Sequence, residues 1–309
     1  MKKIFMICAA LTILISPAFS QGYKGRGRIK GIITDTEGQP LEGVKIKLFS
    51  LRSDAGFEIE SEKNGEWRAN WIRGGTWYID FTHVGYEPRK ISIQVLELRS
   101  NPPIEITMKK IEGIALTEKI VEAMKAANKI YDEGKYEEAI AAYEEILTEF
   151  PDAFIINQNI GNAYFALGDY DKAIEFYEKL LEKKGDHSST FILVGNSYIN
   201  KKDNEHAMEW YSKVNVEDIE DVIALYNIGI LFFNSGNYDK AITYLKRAIE
   251  IDNQLSDGFY QLGMSYLASG QNLEAIEVLE KFIELEPESD KTTIAKSIIE
   301  TLTKKREQE

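Results

Sequence analysis

The sequence predicts a multidomain protein in which an antiparallel β-sandwich (28–110) precedes an all-α superhelical solenoid (120–287) and a C-terminal capping helix (288–309). Three observations support this fold class. Short apolar runs with period two fill the first third of the chain. Glycine and alanine then recur every 34 residues. The chain ends in an amphipathic segment. With 309 residues, 44% of them hydrophobic, it can build more than one core.

Residues 1–20 have the pattern of a secretory signal peptide. Lys2 and Lys3 precede an apolar stretch over 4–15, and small residues stand before an expected cleavage site at Gln21. A retained membrane anchor is the alternative. The stretch is well short of the roughly 20 residues that span a bilayer, so we expect cleavage. The protein is then exported to the bacterial periplasm or outer surface, or secreted.

Charge and cysteine content exclude several function classes. The net charge is −13, with +3 over 21–110 and −18 over 111–309. This acidic balance argues against nucleic-acid binding. The single cysteine, Cys8, lies inside the apolar stretch, so the cleaved chain has no disulfide and no thiolate metal site. No later segment is apolar enough to cross a membrane, and no transmembrane segment is expected after cleavage.

The β-sandwich prediction depends on alternation and turn signals. Val44–Leu48, Trp77–Phe81 and Ile91–Val95 each alternate apolar and polar residues. Asn64-Gly65 is a hairpin signal, because both central residues of the favoured turn need positive φ. Several such strands at close spacing predict a small antiparallel sandwich. The glycine-rich residues 21–27 are interpreted as a flexible leader.

The glycines, prolines and aromatics of this segment carry a family resemblance. Four landmarks occur in order: Gly31-x-Ile33-x-Asp35-x-x-Gly38-x-Pro40-Leu41-x-Gly43-Val44, Asn64-Gly65-Glu66-Trp67, Gly75-Thr76-Trp77-Tyr78 and Val84-Gly85-Tyr86. They resemble the carboxypeptidase regulatory-like domain. The resemblance implies a transthyretin-like β-sandwich that serves as an accessory module on exported and cell-surface bacterial proteins. No motif of the zinc carboxypeptidases' catalytic domain accompanies it in this sequence.

The aromatic residues of the sandwich allow two interpretations. Trp67, Trp71, Trp77 and Tyr78 could form a sugar-stacking surface. More often such residues are core or cross-strand partners, and we favour this second interpretation. The positions of the tryptophans in the fold discriminate between them.

The C-terminal two thirds repeat with a fixed period of 34 residues. Small residues recur at two positions of the repeat: Gly161, Gly195, Gly229 and Gly263 at the eighth, and Ala139, Ala173, Ala207, Ala241 and Ala275 at the twentieth. Turn residues recur as well: Gly134, Gly168, Gly236 and Gly270, with Lys202 in the third repeat. These residues resemble the tetratricopeptide repeat, with five repeats that begin near Ile120, Phe154, Ser188, Val222 and Ser256.

The ends of the repeat array follow from the same register. Residues 111–119 are expected to be a linker. Ile294, Ile298 and Leu302 predict an apolar stripe with which the last helix covers the fifth repeat. In the third repeat, 214–218 lacks a normal helix end, so we expect a bend or an irregular turn there.

The resemblance implies a ligand groove lined by the first helix of each repeat. Carried over position by position, the partner-binding candidates are Asn128, Asn159, Asn162, Asn196, Asn200, Tyr226, Asn227, Phe233, Asn234, Tyr260 and Met264. Asparagine can pair with the peptide bonds of an extended ligand, and the aromatics could anchor a side chain. Asparagine is also common at these positions whatever the family member binds. Only Lys125 is basic among the fifth- and sixth-position residues, which argues against a carboxylate clamp.

Catalytic and metal-binding motifs are missing from the sequence. His83, His187 and His206 are scattered and have no metal-ligand spacing. No nucleophile motif occurs. We therefore expect no enzymatic activity, no catalytic residue, no metal and no cofactor. The leading hypothesis is an exported scaffold whose groove binds an extended or helical segment of a protein or peptide partner. The alternative is a carbohydrate- or peptidoglycan-binding envelope protein that uses the aromatic surface of the sandwich.

Overall fold

A computed structural model describes residues 24–50, 55–111, 118–184 and 187–308. The predicted signal peptide, the first three residues of the leader and most of the predicted linker lie outside the described residues. No helix in these four ranges is long and apolar enough to cross a bilayer.

Seven strands precede eleven helices in the described part of the chain. The strands are β1 (Lys24–Asp35), β2 (Lys45–Ser50), β3 (Ala55–Glu60), β4 (Glu66–Ile72), β5 (Gly75–Thr82), β6 (Arg89–Val95) and β7 (Ile104–Met108). The helices are α1 (Glu118–Asp132), α2 (Tyr136–Glu149), α3 (Ile156–Leu167), α4 (Tyr170–Lys184), α5 (Ser188–Asn200), α6 (Asn204–Tyr211), α7 (Val222–Asn234), α8 (Tyr238–Ile251), α9 (Ser256–Ala268), α10 (Asn272–Leu285) and α11 (Asp290–Gln308).

The strands form two sheets, with strand orders β4-β1-β7 and β3-β2-β5-β6. The predicted sandwich is confirmed, with one difference in strand direction. β1 pairs with β7 in parallel, from Gly31 opposite Ile104 to Asp35 opposite Met108, whereas the other pairings are antiparallel. β7 follows β6, which belongs to the other sheet. No hairpin joins β7 to β1, so no tight turn forces these two strands to be antiparallel.

Two details of the strand prediction are wrong. The leader is not flexible throughout, because β1 begins at Lys24 and pairs there with Ile72 of β4. Asn64-Gly65 does not close a hairpin, because β3 and β4, which it joins, belong to different sheets. Only Gly65 has positive φ, at 75°. Its carbonyl oxygen accepts a hydrogen bond of 2.9 Å from the backbone N–H of Ile33, which fixes this corner against β1.

The core of the sandwich contains two of the three tryptophans. Trp67 is 2% exposed and packs edge-on against Phe81, and Trp77 is fully buried. Gly31 is required beside Trp67, since a Cβ there would lie 2.7 Å from the indole nitrogen and 2.1 Å from the carbonyl oxygen of Ile104. The core interpretation is therefore confirmed for Trp67 and Trp77. Trp71 is different, because it is 59% exposed.

Small residues set the distance between the two helices of a repeat. All five twentieth-position alanines have no exposed surface. A Cβ at Gly161 would lie 2.5 Å from a ring carbon of Tyr177, and one at Gly229 would lie 2.6 Å from Leu245. In these repeats, the glycine at the eighth position therefore packs directly against the side chain that lies sixteen residues later, on the second helix. The repeat register explains the close packing.

The third repeat departs from the others at both of its turns. Gly134, Gly168, Gly236 and Gly270 have φ between 78° and 80°, and Lys202 occupies the same left-handed region at 64°. Helix α6 has only 8 residues, and a 3₁₀ helix at Val216–Asp218 follows it. The predicted irregular turn near 214–218 is confirmed.

The capping helix packs through a slightly different face from the predicted one. Ala295 is fully buried, and Ile298 and Ile299 pack beside it on a cluster that includes Phe282 of α10. Ile294, predicted to cover the fifth repeat, is 51% exposed. The reason is helical phase: the stripe that begins at residue 295 continues at i+3 and i+4, and residue 294 lies beside it.

The chain divides into two compact units, Met1–Asp203 and Asn204–Glu309, so the boundary falls within the third repeat. In the first unit, the sandwich contacts the first repeat. Val84 and Ile111 pack against an apolar cluster whose members come from α1 to α4. The Lys45 Nζ lies 2.5 Å from an Oδ of Asp132. These contacts place the sandwich and the first repeats in one unit, rather than in the two domains that the sequence divides.

Candidate partner-binding surfaces

The predicted groove residues form two surfaces, one in each unit. The amide surface lies on α1, α3 and α5 of the first unit and comprises Asn128, Asn159, Asn162, Asn196 and Asn200. The aromatic surface lies on α7 and α9 of the second unit and comprises Tyr226, Asn227, Phe233, Asn234, Tyr260 and Met264.

Asn128 is held by a buried tyrosine. The Tyr143 Oη donates a hydrogen bond of 2.6 Å to the Asn128 Oδ1, and the Asn159 Nδ2 donates a second one of 3.1 Å to the same oxygen. Tyr143 is 1% exposed. Burial raises the pKa of Tyr143 to about 12, so the phenol stays protonated and remains a donor at neutral pH. The amide of Asn128 is thereby fixed in one orientation.

The second repeat contains the same pair. The Tyr177 Oη donates a hydrogen bond of 2.9 Å to the Asn162 Oδ1. Burial raises the pKa of Tyr177 far above its ordinary value, and the absence of a Cβ at Gly161 makes room for the tyrosine ring. Within the described residues, the Nδ2 groups of Asn128 and Asn162 donate to no protein acceptor. These two donors can therefore bind carbonyl oxygens of a ligand.

The other asparagines of the amide surface are used within the fold. The Asn159 Nδ2 donates its hydrogen bond to the Oδ1 of Asn128. The Asn200 Nδ2 donates to the backbone oxygen of Asn196, one turn earlier in α5, at 2.8 Å. Asn196 is half-buried. The structure thus brings Asn128 and Asn159 together, and it gives Asn200 a role inside its own helix.

The supporting tyrosines were not predicted, although the sequence contains a signal for them. The residue fifteen positions after the ninth-position side chain is tyrosine in the first three repeats, namely Tyr143, Tyr177 and Tyr211. In the same repeats the ninth position is asparagine. In the last two repeats the pair changes to Ile230 with Leu245 and Met264 with Leu279. This joint change indicates a hydrogen-bonded pair, because an unpaired buried hydroxyl is costly.

The aromatic surface has two polar groups without protein partners. Tyr226 and Asn227 are half-buried on α7, and within the described residues no hydrogen bond engages the Tyr226 hydroxyl or the Asn227 amide. Burial raises the pKa of Tyr226 to about 12, and the negative charge of Asp257 acts in the same direction. A protonated phenol beside a free amide can bind a polar group of a ligand.

Tyr260 is partly enclosed by the C-terminal helices. Its ring centroid lies 5.1 Å from that of Phe282, and the Lys291 ammonium lies 5.1 Å from the Tyr260 centroid. Lys291 also pairs with Asp257 at 2.5 Å. The surface near Tyr260 is therefore less apolar than its sequence suggests, because an ion pair borders the ring.

Phe233 has a packing role that repeats along the chain. Its ring lies 5.6 Å from that of Tyr238, across the turn between α7 and α8. The same pairing joins Phe165 to Tyr170, and Tyr131 to Tyr136. A part for Phe233 in ligand binding stays a prediction. Asn234 is exposed at the end of α7, and Met264 is half-buried on α9.

The histidine nearest to the first repeat has structural partners. The Nδ1 of His83 lies 3.0 Å from the backbone oxygen of Val84, and its Nε2 lies 3.0 Å from that of Glu42. Burial lowers the pKa of His83, although both carbonyl oxygens act against this shift. In the part of the chain that the structure describes, no three histidine, cysteine or acidic side chains converge as a metal-binding group.

Several solved structures are similar to this chain. YrrB, a tetratricopeptide-repeat protein with an unusual peptide-binding site, is 24% identical, and the match covers 58% of this chain and 94% of YrrB (TM-score 0.45). MamA from Desulfovibrio magneticus RS-1 is 22% identical over 57% of this chain and 99% of its own (TM-score 0.45). The C-terminal part of a repeat protein from Cytophaga hutchinsonii is 24% identical over 53% and 65% (TM-score 0.41).

Family models match both parts of the chain. The carboxypeptidase regulatory-like domain matches residues 28–109. Tetratricopeptide-repeat models match 131–190, 222–254 and 256–289. No curated protein sequence matches the chain significantly. The chain is therefore built from a carboxypeptidase regulatory-like domain followed by tetratricopeptide repeats.

Proposed function

We propose that this protein is an exported, non-enzymatic interaction scaffold that binds an extended or helical segment of a protein partner on the first helices of its repeats. The observation that carries the proposal is the pair of oriented amides in the first unit. Asn128 and Asn162 each accept a hydrogen bond from a buried tyrosine and keep the Nδ2 donor for a ligand. Export is inferred from the signal-peptide pattern of residues 1–20.

The two amides suit a peptide backbone for a physical reason. An asparagine that can rotate loses side-chain entropy when it binds, whereas Asn128 and Asn162 are already oriented by Tyr143 and Tyr177. Each additional hydrogen bond to a ligand carbonyl then contributes about 0.5–1.5 kcal/mol. Two such donors on equivalent positions of successive repeats favour a ligand with regularly spaced carbonyl groups, which a polypeptide provides.

The aromatic surface supplies a second type of contact. Tyr226 presents a half-buried ring and a hydroxyl that forms no hydrogen bond with a described residue, and Asn227 follows it on α7. Tyrosine anchors are frequent in interfaces because they bury a large rigid area and keep a polar end. We propose that a partner side chain binds here.

The carbohydrate alternative loses most of its basis. It predicted a stacking surface made of several tryptophans, but Trp67 and Trp77 belong to the core. Trp71 alone of the three is exposed, and the Arg28 guanidinium carbon lies 4.9 Å from its ring centroid. One ring face of Trp71 is thus already occupied, and two of the three tryptophans on which the carbohydrate alternative depends lie in the core.

Substitution of asparagine by aspartate tests the amide surface. Asn128→Asp and Asn162→Asp keep an oxygen that accepts from Tyr143 or Tyr177 and replace the Nδ2 donor with an acceptor. The chain from Gln21 onward is used to select binders from a random peptide library. We expect either substitution to weaken the binding of the selected peptides about tenfold. The Nδ2 donor is lost, and a carboxylate oxygen then faces the carbonyl oxygen of the peptide. Titration calorimetry measures the affinity.

Asn253→Asp is the matched control, because it adds the same charge at an exposed residue between α8 and α9. It should leave the affinity unchanged. Tyr226→Ala tests the aromatic surface in the same assay. If peptides bind the Asn128→Asp, Asn162→Asp and Asn253→Asp variants equally well, the amide surface is not the binding site.

A further inference from the structure

Three segments of the β-sandwich meet at one end of the domain. They are the start of β1, the turn between β4 and β5, and the loop between β6 and β7. The Glu97 carboxylate of the last segment joins them, because its two oxygens accept hydrogen bonds from the backbone N–H groups of Gly74, at 2.7 Å, and Arg26, at 2.9 Å. We call this end the sandwich tip.

The loop at the sandwich tip holds two leucines outside the core. Asn101 fixes the loop, since its Oδ1 accepts from the Leu96 N–H at 2.8 Å. Its Nδ2 donates to the backbone oxygens of Leu96, at 2.9 Å, and Arg28, at 3.0 Å. Leu96 is nevertheless exposed, and Leu98 is 87% exposed. The hydrogen bonds of the loop thus present apolar side chains to solvent.

Trp71, two residues before Arg73 of the sandwich tip, is a third exposed apolar side chain, and its backbone is strained. It is the residue before Ile72 at the end of β4, and its φ of 63° lies in the left-handed region. This region costs a non-glycine residue on the order of 1 kcal/mol. The large exposed indole gains no burial in return. An exposed tryptophan on strained backbone indicates a function outside the fold of the domain.

The charge of the sandwich tip is positive. Arg26, Arg28, Arg73 and Arg99 are all exposed, and none of them forms an ion pair with a described carboxylate. Glu97 offsets this charge in part, since its charge interacts with Arg73 and Arg26. Four arginines and one glutamate leave an excess of positive charge, on a domain whose net charge of +3 contrasts with the acidic repeats.

We propose that the sandwich tip binds the surface of a membrane that contains anionic phospholipids. Arginine guanidinium groups pair with lipid phosphates, often in bidentate geometry. Indole and leucine side chains enter the boundary between headgroups and acyl chains. The combination of exposed apolar residues with four exposed arginines on neighbouring segments matches this boundary, where both environments meet within a few ångströms.

A membrane explains the sandwich tip better than a protein partner does. The apolar residues stand on separate segments and protrude singly, whereas protein interfaces bury them in a packed centre with a polar rim. The four arginines form no ion pair with a carboxylate of the described residues, which suits a diffuse anionic surface. The inference is independent of the proposed repeat surfaces, because every residue that carries it lies in the sandwich.

Vesicle flotation tests the proposal. The chain from Gln21 onward is used, because the apolar stretch of residues 4–15 could insert by itself. We expect it to float with vesicles of phosphatidylcholine and phosphatidylglycerol, and to bind vesicles of phosphatidylcholine alone at least tenfold more weakly. Arg28→Gln combined with Arg99→Gln should weaken binding to the anionic vesicles on the order of 20-fold. Leu96→Ser combined with Leu98→Ser should weaken binding to these vesicles about tenfold. Added salt should weaken the binding of the unchanged chain as well.

Two matched variants serve as controls. Leu273→Ser changes an equally exposed leucine of α10, and Arg68→Gln changes an exposed arginine on β4 that pairs with Glu66. Both should bind anionic vesicles as the unchanged chain does. Equal binding by all variants, or no binding to anionic vesicles, would overturn the proposal. Sedimentation with insoluble peptidoglycan, or self-association that Leu96→Ser and Leu98→Ser abolish, in the absence of vesicle binding would assign the tip to a glycan or a second copy instead.

Discussion

The amides of Asn128 and Asn162 depend on residues that lie fifteen positions later in the sequence but contact them in the fold. Their orientation comes from Tyr143 and Tyr177 on the second helix, and Tyr177 fits because Gly161 carries no Cβ. A change at the glycine would therefore move the tyrosine and release the asparagine. In the second repeat the contacts follow one another: Gly161 leaves room for the ring of Tyr177, and the hydroxyl of Tyr177 fixes the amide of Asn162.

Lys202 allows a direct test of backbone strain in the third repeat. Its φ of 64° lies where the other repeats have glycine. We expect Lys202→Gly to stabilise the protein by about 1 kcal/mol, because the left-handed conformation costs a residue with a Cβ about this much. The added flexibility of the unfolded chain offsets part of this gain. Denaturant unfolding measures the change.

Lys201 provides the neighbouring control. Its φ of −72° and ψ of −5° suit any residue. Lys201→Gly should destabilise the protein by about 1 kcal/mol, because glycine adds freedom to the unfolded chain there and the ion pair of Lys201 with Asp171 is lost. If Lys202→Gly destabilises the protein by the same amount as Lys201→Gly, backbone strain does not explain why the other repeats have glycine at this position.

Among the elements, the sandwich acts as a cover for the first repeat. A solenoid leaves the apolar face of its terminal repeats open unless something covers it. At the C-terminal end, α11 covers α10 through Ala295. At the N-terminal end, Val84 and Ile111 pack on the cluster that α1 and α2 share with α3 and α4. Burial opposes the charge on Lys45, but the hydrogen bond and charge of Asp132 raise the pKa of Lys45, so the pair stays charged at this junction.

Val84→Asp tests this covering role. The charge would enter the apolar cluster of the first repeat, which costs several kcal/mol unless the contact opens. We expect the amides of α1 and α2 to exchange hydrogen at least tenfold faster, and those of α8 to be unaffected. Hydrogen–deuterium exchange measures this. Leu98→Asp adds the same charge at the sandwich tip and should change neither helix. Unchanged protection of α1 in Val84→Asp would show that the sandwich does not stabilise the first repeat.

For the whole molecule, we expect charge repulsion to be a larger electrostatic effect than ion pairing. Residues 111–309, which contain the linker, the repeats and the capping helix, carry a net charge of −18. Most ion pairs are exposed, such as Lys179 with Glu175 at 2.6 Å and Lys291 with Asp257 at 2.5 Å. Exposed pairs of this kind contribute between 0 and about 1 kcal/mol each. The acidic excess therefore opposes the compact state.

Added salt should then stabilise the protein. At an ionic strength of about 0.1 M the Debye length is about 10 Å, so repulsion across the acidic surface is screened. We expect the midpoint of thermal unfolding to rise by a few degrees between very low salt and about 0.2 M sodium chloride. Calorimetry or circular dichroism measures it. A fall of the midpoint over this range would show that the exposed ion pairs outweigh the repulsion.

The sequence by itself determined the parts of this protein that depend on local pattern. Period-two alternation predicted β2, β5 and β6, and the 34-residue register predicted the repeat helices, the turn glycines and the weak end of the third repeat. The register also named the asparagines of the amide surface. Such features can be predicted from the sequence because a repeat places equivalent residues in equivalent surroundings, and because strands and helices have fixed periods.

Only the tertiary structure decided how distant residues are paired. It placed β7 parallel to β1, buried Trp67 and Trp77 but exposed Trp71, and put the boundary between the two units inside the third repeat. It also joined Tyr143 to Asn128. These outcomes depend on which side chains meet across elements, and that is settled by packing of the whole fold rather than by the period of any segment.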